Sequence, residues 1–179
     1  MAVAAYMLSL LTRQKQLLGE RFFERYPSNW LVWEPGQWRP ARSESTSNTE
    51  ATQLPTSLPA SRPLGDDALC FELKRVVAAL SVGRGTENNI VVNDLTVSRT
   101  QLHLEFADAK WRVRTTSPVT VDGKAVGPLG ASLANASRIS IGDVRLSFYE
   151  PEGFLLRLVP QSSKTPAPIA TGAPKSPLR

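Results

Sequence analysis

Arg84, Ser98 and Arg99 stand at the edges of short strand-like runs, with Asn88 and Asn89 between them. A guanidinium offers a planar fork of five donors, and a serine hydroxyl adds one more. Brought together, two guanidiniums and a hydroxyl suit a tetrahedral oxyanion such as phosphate, because each bond to it is charge-assisted. Nothing nearby completes a catalytic set. The chain has one histidine, His103, one cysteine, Cys70, and no clustered carboxylate pair, so neither a nucleophile with its base nor a metal cluster can be assembled. The stretch GRGTENN contains two glycines but lacks the Lys-Ser/Thr ending of a P-loop, and it leads into a strand instead of a helix. The expectation is a binding protein and not an enzyme, with no metal and no cofactor.

The residues that could bind are far apart in sequence, so the elements around them must bring them together. LCFEL, LHLEF and WRVRT alternate apolar and polar residues, VVAALSVGR and NIVV read as buried strands, and RISIGDVRLSFY reads as two strands around Gly142-Asp143. Turns are expected at Gly83 to Asn89, at Asp108-Ala109 and at Asp122-Gly123. Without crossover helices a parallel α/β sheet is excluded, and an all-β sandwich follows. Loops at one end of a sandwich converge in space even when separated in sequence.

Outside the strands the composition changes. Ala4, Leu8, Leu11, Leu18 and Phe22 recur at helical spacing, which predicts an N-terminal amphipathic helix. Three of the four tryptophans follow closely, Trp30, Trp33 and Trp38, and read either as a cap over that helix or as a docking surface for a partner. Residues 1–40 therefore form one segment. Residues 41–67 are rich in Ser, Thr and Pro and predict a disordered linker, 68–150 the sandwich, 151–160 a short helix from Pro151, and 161–179 a disordered tail. The net charge of +5 is spread along the chain without a basic block, which argues against nucleic acid. The apolar run at the N-terminus is too short to span a bilayer, so no membrane insertion is expected. A lone cysteine suits a reducing compartment, which makes the cytoplasm the expected location.

The stretch VGRGTENNIVVNDLTVSRTQLHLEF, followed by VTVDGKAV and LANASRISIGDVRLSF, resembles the signature of forkhead-associated domains. The resemblance spans residues 69–149 in order. It implies a sandwich of about eleven strands whose apical loops bind phosphothreonine peptides. Arg84 would pair with the phosphate, Ser98 would hydrogen-bond it, and Arg99 would contact phosphate or peptide backbone. Gly83 would keep the adjoining turn tight.

Two positions depart from that family. Its histidine, which braces the binding loops, falls at Gln101 here, and His103 lies two residues further along. The loop after WRVR, where the family carries an asparagine that contacts peptide backbone, reads TTSPV, leaving Ser117 and Thr116 as the candidate stand-ins beside Pro118. Both departures bear on affinity and leave the fold intact. The resemblance implies a phosphothreonine-binding signalling adaptor working with Ser/Thr kinases or their substrates. The alternative is a degenerate scaffold of the same fold that binds protein partners independently of phosphate. Thr49 and Thr52 in the linker are candidate phosphosites, and a phosphothreonine there is a candidate intramolecular partner.

Overall fold

The computed structural model describes residues 2–36, 66–74 and 79–159. Twelve strands among these residues form two packed sheets. In chain order they are β1 (Ala5–Met7), β2 (Asn29–Trp33), β3 (Leu69–Leu73), β4 (Leu80–Gly83), β5 (Ile90–Val91), β6 (Leu102–Ala107), β7 (Lys110–Arg114), β8 (Thr120–Val121), β9 (Lys124–Ala125), β10 (Ala131–Ser132), β11 (Arg138–Ile141) and β12 (Val144–Tyr149). One sheet has the order β1-β3-β2-β12-β11-β8-β9 and the other β10-β7-β6-β4-β5. All pairings are antiparallel except β4 with β5. The expected turns fall where the backbone needs a left-handed conformation: Asp108 and Ala109 have φ 51° and 60°, Asp122 and Gly123 51° and 78°. Two successive positive φ values match the twist of a tight hairpin.

Alternating side chains of the two sheets meet in one core that includes Phe71, Val82, Leu102, Leu104, Ile139 and Phe148. A second core lies on the opposite face of the seven-stranded sheet, under helices α1 (Leu8–Leu18), α2 (Arg21–Arg25) and α3 (Pro151–Arg157). The N-terminal stripe is thus split, because Gly19 at φ 57° ends α1 and the chain turns before α2. Leu11 and Phe22 are buried, and Ala5–Met7, read as helix from the spacing, forms an edge strand paired with β3.

The tryptophan segment is where the expectation changes most. Trp30 does cover the helix stripe, packing in one cluster with Leu11 and Phe22, but it does so from NWLVW, the interior strand β2 inserted between β3 and β12 in the larger sheet, and Trp33 belongs to the other core. Leu31 and Trp33 face the sandwich core while Trp30 and Val32 face the helices, and Trp30 stacks on Phe154 at 4.5 Å. A strand covered on both faces reads as a continuous apolar run, which hides its strand period. Trp38 lies outside the described residues.

The boundary at 68 changes with it. The sandwich takes β1 and β2 from the first 40 residues; leaving out the edge strand β1, the two sheets hold eleven strands, of which β2 is one. Trp33 pairs with Leu69, so residues 34–68 connect two neighbouring strands. Thr49, Thr52 and most of the expected linker fall outside the described residues, as do 160–179 of the tail.

Candidate functional site

One end of the sandwich is tied together by hydrogen bonds between loops. Arg84 N–H donates to the Ser98 carbonyl and Gly85 N–H to the Arg99 carbonyl, each at 3.0 Å, so the loop after β4 runs alongside the loop before β6. Gly83 allows this approach: a Cβ there would fall on the Arg99 carbonyl oxygen and lie 2.8 Å from Thr100 Cα. Asn88, buried, fills the angle between the loops. Its Nδ2 donates to the carbonyls of Gly85 at 2.8 Å and Arg99 at 2.6 Å, and its Oδ1 accepts from Thr100 Oγ1 at 3.2 Å. Asn89 faces the other way, its Oδ1 accepting from Ser81 N–H at 2.9 Å.

A third loop joins through Gln101. Its Oε1 accepts from Ser98 N–H at 2.8 Å, and its Nε2 donates to the Pro118 carbonyl at 3.0 Å. Thr115 Oγ1 donates to the Gln101 carbonyl at 2.7 Å and accepts from Ser117 N–H at 2.9 Å. Gln101 is itself buried, which is affordable because both ends of its amide are paired. Further along the same end, Thr96 Oγ1 accepts from Asp143 N–H at 2.9 Å, linking the loop before β6 to the β11–β12 hairpin.

Within this frame the side chains that could bind are left over. Ser98 and Arg99 are exposed and Arg84 is half-buried, and none of the three side chains makes a hydrogen bond or ion pair with another described residue. Asn88 and Gln101 thus hold the backbone while the charged heads stay available. Glu87, exposed, folds its carboxylate over Gly85 and brings one negative charge to the same loop.

Residues 66–152 match the family model described as "Inner membrane component of T3SS, cytoplasmic domain". The match contains Arg84, Ser98, Arg99 and Gln101 in the sandwich just described. Over this stretch the chain is similar to forkhead-associated domains. Among solved structures it is similar to the forkhead-associated domain of an Arabidopsis thaliana hypothetical protein, 17% identical over 69% of this chain and 85% of that one, with a TM-score of 0.45. The corresponding domain of CT664 from Chlamydia trachomatis is 13% identical over 68% of this chain and 97% of that one, TM-score 0.42. The N-terminal one of S. cerevisiae Rad53p, solved with a phosphothreonine peptide, is 15% identical over 48% of this chain and 78% of that one, TM-score 0.40. No curated protein matches the chain significantly.

In this sandwich the residues singled out from sequence divide into two groups. Arg84, Ser98 and Arg99 belong to the two loops that run side by side, with Gly83 and Gln101 beneath them. Ser117, half-buried, and Thr116, exposed, sit on the third loop, joined to the first two through Gln101. His103, exposed on β6, pairs in register with Ser81 and Arg114 and takes no part in the frame. Two residues went unread. Asn88 looked like a turn former and is a buried brace; Thr115 drew no attention and closes the third loop. A polar residue inside an otherwise well-formed turn signal gives no sign of being buried, because its burial comes from a loop 11 residues away.

Proposed function

We propose that the domain reads phosphothreonine in protein partners and works as a signalling adaptor beside Ser/Thr kinases or their substrates, in the cytoplasm. The observation that carries this reading is the contrast at the apex, where Asn88 and Gln101 are fully engaged while the Arg84, Ser98 and Arg99 side chains have no partner among the described residues. A phosphothreonine carries about −1.5 to −2 charges at neutral pH, and a hydrogen bond to a charged group contributes about 1.5–3 kcal/mol. Arg84 would take the phosphate, Ser98 would donate its hydroxyl, and Arg99 would hold phosphate or backbone. Thr116 and Ser117 would meet the flanking peptide. A linker phosphothreonine at Thr49 or Thr52 belongs to the same proposal as an intramolecular occupant. For the phosphate-independent scaffold, Trp30 and Trp33 offer no docking surface because both are buried, while Trp38 lies outside the described residues.

Calorimetric titration with a degenerate phosphothreonine library and its unphosphorylated twin tests the reading. Micromolar binding that requires the phosphate, and that weakens roughly 10- to 100-fold in Arg84→Ala, is the expected result. Equal affinity for the two libraries would overturn it.

A further inference from the structure

Helix α1 is apolar on two sides. Leu8, Leu11 and Leu18 pack into the core beneath the helices, while Leu10 and Leu17 are 46% and 86% exposed. Seven residues apart, the two exposed leucines stand about 10.5 Å from one another along the axis and about 20° apart around it. A helix needs one apolar stripe to dock on its own domain, so the inner leucines account for the fold and the outer pair does not. A single exposed leucine is ordinary on a protein surface, whereas a pair repeated on one helix face forms a short ridge.

The ridge stands on a fixed support. Ser9 N–H donates to Asp67 Oδ1 at 3.1 Å, Tyr26 Oη to Gln14 Oε1 at 3.0 Å, and Lys15 Nζ to the Leu155 carbonyl at 2.7 Å. Helix α1 is thus tied to the chain before β3, to the residue after α2 and to α3. Covering its outer face brings apolar burial with little further loss of freedom.

The surroundings of the ridge carry both signs of charge. Arg13 lies between the leucines in sequence, and Glu20, Arg21 and Glu24 follow at the corner into α2. All four are exposed, and none pairs through its side chain with another described residue. A face of one sign repels a copy of itself, and a face with two cations and two anions does not. The leucine spacing is also its own match. Two α1 helices laid face to face bring leucine against leucine at both ends, whichever way they run.

We propose that the outer face of α1 is a two-fold self-association surface, occupied by α1 of a second copy of this chain. The ridge buries little area, at the low end of specific interfaces, so the dimer is weak, with a dissociation constant on the order of 100 µM. Arg84, Ser98 and Arg99 flank strands of the other sheet, so pairing through α1 does not use them. The dimer then carries two copies of the candidate site, and a ligand with two recognition motifs gains through effective concentration.

Sedimentation of the full chain from about 5 to about 500 µM tests this. The wild type should pass from monomer to dimer across that range. Leu10→Glu and Leu17→Glu each place a charge on the ridge and should weaken dimerisation about tenfold or more. Unchanged urea midpoints at low concentration show that both variants still fold. Leu129→Glu, at a position 89% exposed just before β10 in the other sheet, should dimerise like the wild type. A chain that stays monomeric throughout, a dimer that survives both α1 substitutions, or one lost equally in Leu129→Glu would overturn the proposal.

Discussion

The β2 strand and the apical loops both drew attention as sequence, one for its tryptophans and the other for its arginines, and the fold treats them in opposite ways. Trp30 and Trp33 are buried on the two faces of an interior strand of the larger sheet. At the apex the polar backbone groups and amides are paired, and the charged side chains remain outside. Aromatic content marks a place where the domain is held together, and the unpartnered donors on the braced loops mark the place proposed to bind. The lesson is that residue type alone does not separate a docking surface from a core; the partners already present do.

The largest effect should come from breaking the first region. Trp30→Ala removes a ring packed against Phe154, Tyr6 and Tyr26, and should cost about 3–5 kcal/mol in urea denaturation. Cys70, fully buried on β3 in the same core, provides an independent readout. Burial, with Glu34 and Asp67 adding their negative charge, pushes its thiol well above the usual range, so alkylation at pH 8 should be slow in the native chain and fast in the variant. Unaltered stability and labelling in Trp30→Ala would mean that β2 is not central.

Gln101→Ala lies between the two regions in character. It leaves Ser98 N–H and the Pro118 carbonyl without their partner, so it should lower stability by about 1–3 kcal/mol and weaken phosphopeptide binding as well. A loss of stability with unchanged affinity would separate the third loop from the site. The smallest effect on stability belongs to Arg84→Ala. Its side chain has no described partner, so the unfolding free energy should move by no more than about 0.5 kcal/mol while phosphate-dependent binding falls. A large destabilisation would make Arg84 a structural residue and erase the contrast between the two regions.

Much of the strand set was legible because its strands keep a period of two and its hairpins use residues that tolerate positive φ, as at Asp108-Ala109 and Asp122-Gly123. β2 escaped because a strand covered on both faces has no polar side to alternate with, and its partner β3 lies 36 residues on from Trp33 to Leu69. At the site, Arg84, Ser98 and Arg99 were legible as a donor set. The bracing by Asn88 and Thr115 was not, since it depends on which carbonyls happen to lie within 3 Å after folding.

The sequence by itself determined the all-β class, the hairpin positions and the donor chemistry of the apical loops, because these depend on local period, turn chemistry and residue inventory. Only the tertiary structure decided that residues 29–33 complete the sheet, that Gln101 joins two loops, and that Leu10 and Leu17 stand exposed on α1. Those outcomes follow from contacts between segments distant along the chain. Burial and hydrogen-bond pairing are properties of such contacts, and no local pattern encodes them.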